Sequence, residues 1–266
     1  MPVLGRSTYK LIQSFWTVID LLYPPRCGGC GLQGARWCQN CQAQAEIITP
    51  PVCDYCGSPQ RYQGLCSRCK IHAPPYSSLR SWATFTGPVR NALHQLKYHH
   101  NLGLGEALSR KLIENLDLLD WVVNLVVPVP LGIARLRERG YNQSELLAYP
   151  LALGAGYCYD KKALSRSRET QSQVGLTASQ RKKNVYGAFK ADPIRVANQS
   201  ILIVDDITTS GATIEACATA LLDAGAQQVF GLTLARTIQS GHEFLDTDLS
   251  AIRDDNKSYQ EELQWQ

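Results

Sequence analysis

Long uninterrupted apolar runs are scarce in this 266-residue chain. The apolar stretch nearest the N-terminus, residues 11–22 (LIQSFWTVIDLL), is interrupted by polar side chains, Asp20 among them. It is too short and too polar to span a bilayer, which takes about 20 consecutive apolar residues, and it lacks the continuous apolar centre of a secretory signal. We therefore predict an amphipathic helix over residues 1–23 that ends before Pro24 and docks on the protein's own core. Lying on a membrane surface is the alternative.

A strong charge of one sign is also missing from the chain as a whole, whose formal net charge is +4. Residues 242–266 hold seven acidic and two basic side chains, a net charge of −5, which leaves +9 on residues 1–241. We expect residues 241–266 to be an acidic flexible tail, because acidic residues are dense there and apolar ones sparse. The basic body favours an anionic ligand, either a phosphate compound or nucleic acid; an ordinary solvated basic surface is the alternative.

The composition excludes a disordered or fibrous protein, because 44% of the residues are hydrophobic. A chain of this length can hold one moderate α/β domain and one small module. We predict a cysteine-rich module over residues 24–75 and an α/β domain over residues 76–240.

Cysteine is abundant, and eight of the ten cysteines occur in four C-x-x-C pairs. Two residues between thiolates let one tight turn present both sulfurs to the same metal ion, and two such turns complete a tetrahedron. The spacing predicts two structural zinc ions rather than disulfides, and with them a reducing compartment, the cytoplasm. The predicted zinc ligands are Cys27, Cys30, Cys38, Cys41, Cys53, Cys56, Cys66 and Cys69.

Spacing alone leaves the pairing of these cysteines open. In the simplest, sequential arrangement the first four ligands share one ion and the last four share the other; in a crossed arrangement the first pair joins the third. Gly31 and Gly57 each follow a second cysteine and can adopt the left-handed conformation that closes such a turn. We expect the module to be a structural or protein-contact element, with nucleic-acid docking as the alternative. Cys158 and Cys217 stand alone in apolar contexts and are predicted to be buried.

From residue 76 onward, apolar β-rich segments alternate with helical segments. This alternation predicts a parallel sheet with helices on both faces, and ligands of such sheets lie beyond the carboxyl ends of the strands. The predicted strands are residues 81–85, 121–129, 200–206 and 228–235. The predicted helices are residues 88–116 with a break near 101–105, residues 142–153 and residues 213–224.

The segment 201–213 (ILIVDDITTSGAT) places two adjacent aspartates and a hydroxyl-rich loop between an aliphatic strand and a helix. Neighbouring carboxylates can accept hydrogen bonds from two sugar hydroxyls and help to hold Mg²⁺ beside a pyrophosphate. A loop at a helix N-terminus binds an anion through its N–H groups, and a glycine lets the backbone approach a phosphate closely. Separately these features are ordinary strand ends and helix caps, but in uninterrupted order they predict a ribose-phosphate site. Its predicted residues are Asp205, Asp206, Thr208, Thr209, Ser210, Gly211, Ala212 and Thr213.

This segment resembles the phosphoribosyl pyrophosphate signature of type I phosphoribosyltransferases, and five further segments narrow the resemblance. They are residues 127–130 (VPVP), 139–143 (RGYNQ), the spaced residues of 166–173, the pair Arg181 and Asn184, and residues 188–189 (AF). In this order, and with the cysteine module before them, they resemble the ComF family of late-competence proteins over residues 20–236. The resemblance implies an α/β fold with a type I phosphoribosyltransferase-like parallel sheet flanked by helices, and an N-terminal zinc-ribbon module.

The resemblance also implies a ligand, phosphoribosyl pyrophosphate bound with Mg²⁺. Asp205 and Asp206 would contact the ribose hydroxyls, and residues 208–213 would cradle the 5′-phosphate. Residues 164–176 match the flexible loop that closes over pyrophosphate in these transferases, and its mixed charged and neutral donors suit a phosphate lid. An exposed polar loop is the alternative. The candidate lid contacts are Arg166, Arg168, Thr170 and Gln173.

One position departs from the purine-salvage transferases of this fold. Where those proteins carry an aspartate near the acceptor base, this chain has Thr209, and threonine alone cannot act as a general base at neutral pH. The catalytic residue is therefore unknown, and the sequence leaves open whether the protein is an enzyme.

Two functions follow from the resemblance. The first is a role in natural competence, in which the protein binds phosphoribosyl pyrophosphate with Mg²⁺ and handles incoming single-stranded DNA beside a helicase-like partner. The alternative is an active phosphoribosyltransferase of nucleotide metabolism with an unidentified acceptor. A scaffold assembled through the zinc module ranks last. Aromatic residues that could stack on DNA bases are few in the basic segments, with Tyr157, Tyr159 and Tyr186 the nearest candidates.

Overall fold

The computed structural model describes residues 6–168 and 178–238. The helices are α1 Arg6–Leu22, α2 Gln39–Ala43, α3 Ser67–Ile71, α4 Gly87–Tyr98, α5 Leu102–Leu116, α6 Ile133–Arg139, α7 Gln143–Ala155, α8 Ala178–Val185, α9 Pro193–Val196 and α10 Ala212–Asp223. The strands are β1 Ser78–Thr84, β2 Leu125–Pro128, β3 Cys158–Tyr159, β4 Leu164–Arg166, β5 Phe189–Ala191, β6 Ser200–Thr208 and β7 Gln228–Arg236. Across the two described ranges, no helix is both long and apolar enough to cross a membrane.

The main sheet contains five parallel strands in the order β1-β7-β6-β2-β3. β6 lies in the middle, where Val204 pairs with Pro128 of β2 on one side and with Leu232 of β7 on the other. β4 and β5 form a separate antiparallel pair. The predicted parallel sheet flanked by helices is confirmed, and its two central strands begin close to where the sequence places them.

Each face of the main sheet has its own apolar core. α4, α5 and α7 cover one face, and α10 with the β4–β5 pair covers the other. Successive residues of β6 serve the two cores in turn: Leu202 and Val204 belong to the first, and Ile201 and Ile203 to the second. Because side chains of a strand alternate between faces, burial on both sides accounts for the unbroken aliphatic run at residues 201–204.

Some element boundaries differ from the sequence-based expectation. The long helix does break, but at residues 99–101, where His100 has a φ of 52°. β2 is shorter than the predicted strand, because Trp121 lies outside it and stacks on Phe230 with ring centroids 4.6 Å apart. The prediction of a buried Cys158 is wrong, since this residue is exposed on the edge strand β3, whereas Cys217 is buried. The short elements α6, α8, α9, β3, β4 and β5 were not predicted, because segments this short show no sustained periodicity.

α1 contacts the helix layer of the protein, but several of its apolar side chains, Leu11, Phe15 and Leu21 among them, are exposed. A Cβ atom on Gly154 of α7 would lie 3.3 Å from the ring of Tyr9. Asp20 forms an ion pair with Arg36 of the cysteine module, and the Arg36 guanidinium lies 4.3 Å from the ring centroid of Trp16. These contacts tie α1 to both α7 and the cysteine module.

The cysteine-rich segment packs against the free edge of β1. Ile47 forms an antiparallel bridge with Ala83, and the N–H of Leu79 donates to the carbonyl of Tyr55 at 2.7 Å. An uncovered strand edge presents unpaired backbone groups that invite pairing with other chains. The segment thus protects the outermost strand of the sheet.

Candidate functional site

The two adjacent aspartates lie buried at the carboxyl end of β6. Asp205 Oδ1 accepts hydrogen bonds from Ser144 Oγ at 2.7 Å and from the Asp206 backbone N–H at 2.9 Å. Asp206 Oδ1 accepts from Gln143 Nε2 at 3.1 Å, and Oδ2 forms an ion pair with Lys97 Nζ. The two carboxylates are therefore held in fixed orientations by the start of α7 and the last turn of α4.

The start of α7 is itself fixed to the neighbouring strand. The Asn142 side chain caps α7 by accepting from the Ser144 N–H at 3.1 Å. Its amide nitrogen donates to the carbonyl of Val129, directly after β2, at 2.9 Å. One asparagine thus connects the end of β2 to the helix that supports both carboxylates, which is a standard role for an N-cap residue.

The electrostatic state of Asp205 differs from that of an ordinary carboxyl group. Burial, and after it the negative charge of Asp206, raise its pKa to about 7, against the opposing effect of the Ser144 hydrogen bond. The carboxyl group is therefore partly protonated near neutral pH. A nearby cation or a hydroxyl donor would favour its charged form.

The hydroxyl-rich loop runs from the end of β6 into α10. Gly211 has a φ of 83° and precedes the first residue of the helix, so the loop turns sharply at the helix N-terminus. The hydroxyl oxygens of Thr208 and Ser210 are buried, and neither has a hydrogen-bond partner among the described residues. Buried hydroxyl groups are normally satisfied, so these two are suited to a bound oxyanion.

The structure describes two of the four candidate lid residues. Arg166 is on β4, where its guanidinium lies 5.5 Å from the ring centroid of Phe189. Arg168 donates to the carbonyls of Asn184 and Tyr186 at 3.1 and 2.9 Å. Thr170 and Gln173 lie outside the described residues. The lid assignment therefore stays a prediction.

A cluster of aromatic and basic side chains adjoins the carboxylates on the side of α4. Arg139 donates to Gln143, the residue that holds Asp206, and its guanidinium lies 5.4 Å from the ring centroid of Tyr98. The rest of the cluster follows along the chain: His94 lies 4.8 Å from Tyr98 and 5.4 Å from His99, and His100 lies 5.5 Å from Tyr141. We call His94, Tyr98, His99, His100, Arg139 and Tyr141 the aromatic-basic patch. Tyr98 and the three histidines are exposed.

Three residues that hold the carboxylates were not predicted from the sequence as site residues: Lys97, Gln143 and Ser144. Gln143 belongs to the RGYNQ segment that carries the family resemblance, but nothing local indicates that its side chain reaches Asp206. Lys97 lies in the last turn of the amphipathic helix α4, where a basic residue is common because it interacts favourably with the helix dipole. The signal that would have found them is proximity in space, which the sequence does not show.

The eight cysteines of the four C-x-x-C pairs form two groups, and the pairing is sequential. Cys27, Cys30, Cys38 and Cys41 form the first tetrad, and Cys53, Cys56, Cys66 and Cys69 form the second; within each tetrad all sulfur atoms lie within 4.8 Å of one another. Sγ–Sγ distances of 3.6 and 3.7 Å in the first tetrad and 3.7 Å in the second match the roughly 3.8 Å edge of a tetrahedron with 2.3 Å Zn–S bonds. The residues present therefore fit two structural zinc ions.

The turns of both tetrads have the expected conformation. Gly31 has a φ of 76° and Gly57 a φ of 67°, each directly after the second cysteine of a pair. In addition, the N–H of Cys38 donates to Cys27 Sγ at 3.4 Å, and the N–H of Cys66 donates to Cys53 Sγ at 3.3 Å. Such N–H contacts stabilise thiolate ligands.

Comparison with known proteins agrees with this architecture. A double zinc ribbon domain model matches residues 18–70, and a phosphoribosyl transferase domain model matches residues 106–260, more than half of the chain. DNA utilization protein YhgH of Salmonella typhimurium is 34% identical over 228 residues, covering 82% of this chain and all of that protein. Competence protein F of Haemophilus influenzae is 27% identical over 212 residues, 74% of this chain and 90% of that protein. Competence protein ComFC of Bacillus subtilis is 26% identical over 234 residues, 84% of this chain and 89% of that protein.

The parallel sheet and the two cysteine tetrads define the class: a type I phosphoribosyltransferase-like fold preceded by a double zinc ribbon. Within that class, the chain belongs to the ComF family.

Proposed function

We propose that this protein binds a phosphoribosyl pyrophosphate-type ligand together with Mg²⁺ at the carboxyl end of β6. The observation that carries the proposal is the pair of buried carboxylates, Asp205 and Asp206, followed directly by a loop with two buried, unsatisfied hydroxyl groups among the described residues. The carboxylates accept hydrogen bonds from the ribose hydroxyls and offer oxygen ligands to Mg²⁺. Residues 208–213 surround the 5′-phosphate at the N-terminus of α10.

The pyrophosphate part of the ligand needs cationic partners. Arg166 and Arg168 supply them in this proposal, and Thr170 and Gln173 complete the lid. Arginine suits this role because its planar guanidinium can donate two parallel hydrogen bonds to one phosphate group.

Calorimetric titration with phosphoribosyl pyrophosphate and Mg²⁺ tests the ligand. The wild type should bind saturably, and the double variant Asp205→Asn/Asp206→Asn should bind roughly 10- to 100-fold more weakly, since hydrogen bonds to charged groups are worth about 1.5–3 kcal/mol each. Asp223→Asn, a change of the same type at the exposed end of α10, is the matched control and should bind like the wild type. Equal heats for the wild type and the double variant would overturn the assignment.

We propose in addition that the protein acts in DNA uptake and binds single-stranded DNA, with a helicase-like competence protein as its partner. The names of the relatives refer to competence and to DNA utilization. The aromatic-basic patch supports the idea physically, because single-stranded nucleic acid binds where bases can stack on rings and cations can meet phosphates. It replaces Tyr157, Tyr159 and Tyr186 as the stacking surface that we favour.

Fluorescence anisotropy with a labelled single-stranded oligonucleotide tests the DNA proposal. Affinity should fall steeply as salt rises, and Tyr98→Ala and Arg139→Gln should each weaken binding, by roughly 1–3 kcal/mol where a stacked base is lost. Tyr186→Ala and Arg61→Gln are matched controls, because both side chains are exposed and neither residue lies on the segments that form the patch. An affinity that does not change with salt, or equal losses in the controls, would contradict the proposal.

Phosphoribosyl transfer to an unidentified acceptor is the second candidate function of the same site. The feature in its favour is the sequence order of the predicted donor residues, two adjacent aspartates followed by a hydroxyl-rich loop, which is the order expected of a transferase, although Thr209 offers no general base. Incubation with phosphoribosyl pyrophosphate and a panel of nucleobases, followed by measurement of released pyrophosphate, distinguishes phosphoribosyl transfer from binding without turnover. Release above the blank by the wild type, absent in Asp205→Asn/Asp206→Asn, would assign an enzyme; no release from a protein that binds the donor would assign a regulatory ligand.

A further inference from the structure

An arginine that lies between two cysteines of the second tetrad contacts the loop at residues 208–211. We call these residues the phosphate loop. Arg68 lies between the ligands Cys66 and Cys69 on α3, and its Nη1 donates a hydrogen bond to the carbonyl oxygen of Ser210. The two residues are 142 positions apart in the chain. A Cβ atom on Gly211 would lie 3.8 Å from Nη2 of the same guanidinium.

This contact determines the direction of one peptide group. In a trans peptide the carbonyl of Ser210 and the N–H of Gly211 point in opposite directions. When Arg68 holds the carbonyl toward the cysteine module, the Gly211 N–H points away from the module, since both bonds lie in the plane of the peptide group. The conformation of the loop at its glycine therefore depends on a residue of the metal-binding module.

A second contact connects the same module to α10. His72 follows α3, and its Nε2 lies 3.3 Å from Oε1 of Glu215, in the first turn of α10. Both ends of the short α3 segment thus meet the region where the phosphate loop enters the helix.

A third contact reaches the other side of the loop. Arg236, the last residue of β7, pairs in register with Thr208, and the N–H of Thr237 donates to the Thr208 carbonyl at 3.0 Å. The buried Arg236 guanidinium donates to the carbonyl of Cys56 and lies 3.4 Å from Ser58 Oγ. A site made of one Zn²⁺ and four thiolates would carry a net negative charge, which would compensate the charges of Arg236 and Arg68.

The first tetrad has different neighbours. The carbonyl of Gly29 accepts from Asn91 Nδ2 of α4 at 2.9 Å, and Gly28 lies against Leu104 of α5. These contacts stabilise the module on the helix layer, not on the phosphate loop. The first tetrad can therefore serve as an internal control for the effect of the second tetrad on the phosphate loop.

We propose that the second tetrad is part of the ligand site: it holds Arg68 in place, and Arg68 acts as a positioning residue that orients the Ser210–Gly211 peptide for the phosphate. Ligand affinity then depends on the second metal ion and much less on the first. The inference rests on the proposed binding of a phosphorylated ligand, but its effect on the loop is present without any ligand.

The first test uses Arg68→Ala, with Lys70→Ala as the matched control because Lys70 is an exposed basic residue on the same short helix. Both variants should retain two equivalents of zinc. Arg68→Ala should show faster amide hydrogen exchange in a peptide covering residues 205–213, and at least roughly tenfold weaker binding of phosphoribosyl pyrophosphate with Mg²⁺, in line with the loss of one charge-assisted hydrogen bond. Lys70→Ala should match the wild type, and Arg68→Lys should recover part of the loss.

Loop exchange and affinity in Arg68→Ala that equal those of the wild type would overturn the inference. If the wild type binds no phosphoribosyl pyrophosphate, the proposed function fails, whereas the exchange measurement still decides the role of Arg68. The two failures are therefore distinguishable.

The second test compares Cys66→Ser with Cys38→Ser, which remove equivalent, partly buried ligands of the two tetrads. Each variant should lose one equivalent of zinc. Only Cys66→Ser should speed up amide exchange in residues 205–213. Equal acceleration in both variants, or none in either at one equivalent of zinc lost, would contradict a specific role of the second tetrad.

Discussion

At the scale of single residues, the position of Asp205 opposes stability. The carboxyl group is buried beside a second carboxyl group, and its pKa rises to about 7 for those two reasons, in that order. In the unfolded chain an aspartate titrates near its ordinary pKa of about 3.9. The folded state therefore holds the proton more tightly, and the protein loses stability as the pH rises from about 4 to about 7, where the unfolded chain has released the proton and the folded chain still holds it.

We predict that Asp205→Asn stabilises the ligand-free protein at pH 8 by roughly 1–3 kcal/mol, because the amide replaces a buried charge with a neutral group that can still accept from Ser144. The gain should be complete above about pH 7 and shrink as the pH falls toward about 4, because the unfolded aspartate then takes up a proton as well. Urea unfolding at several pH values measures it. Asp223→Asn should give little change at any pH, and a destabilised Asp205→Asn at pH 8 would show that the carboxylate is favourable in the free protein.

Loss of the Asp205 proton should have the opposite effect on ligand affinity. In the proposed site the carboxylate form of Asp205 accepts hydrogen bonds from ribose hydroxyls, so affinity for phosphoribosyl pyrophosphate should rise between pH 6 and pH 8 in the wild type. Calorimetry at constant Mg²⁺ measures the slope. A flat profile would mean that Asp205 remains protonated in the complex.

At the scale of elements, the site depends on where β6, α4 and α7 end or begin. β6 supplies both carboxylates, and its neighbours β2 and β7 place α7 and Arg236 at the same edge of the sheet. The carboxyl ends of parallel strands meet at one edge, so residues distant in sequence converge there. In the cysteine module, two of the four C-x-x-C turns are closed by a left-handed glycine, Gly31 in the first tetrad and Gly57 in the second.

We predict different costs for two equivalent glycine substitutions in these turns. At Gly31 a Cβ atom would meet nothing within 4 Å, so Gly31→Ala should cost only about 1–2 kcal/mol, for the left-handed conformation. At Gly57 a Cβ atom would lie 2.3 Å from the carbonyl oxygen of Leu79. Gly57→Ala should therefore cost clearly more and loosen the contact between the second tetrad and β1. Thermal unfolding with zinc quantification compares them, and equal costs would show that the backbone at Leu79 yields easily.

At the scale of the whole molecule, the chain consists of a sheet with two cores and a metal-binding module on one edge. Both apolar cores lie in the sheet and its helices, with only a minor contribution from the module. The module has a small cluster of its own, built around Cys53, Cys56 and Cys69. We therefore expect its folding to depend on metal, because the segment buries little apolar surface.

We predict that a strong chelator removes hydrogen-exchange protection from residues 26–71 and from the β1 amides that face the module, while β6 and β7 remain protected. The N–H groups of Leu79 and Thr84 lose the carbonyls of Tyr55 and Glu46 as acceptors, whereas the pairing of β1 with β7 remains. Return of zinc should restore protection, and chelator already saturated with zinc is the control. Complete loss of protection in β6 and β7 would show that the metals hold the whole fold.

The sequence by itself determined the zinc ligands, the parallel sheet and the residues of the candidate ligand loop, because each is encoded locally. Two residues between cysteines, an aliphatic run of strand length, and Asp-Asp before a hydroxyl loop each carry their meaning within about a dozen positions. Only the tertiary structure decided the sequential pairing of the cysteines and the partners of the site. Ser144 lies 61 positions from Asp205, and Arg68 lies 142 from Ser210. No local pattern records such contacts, since the path of the chain brings these side chains together at the carboxyl edge of the sheet.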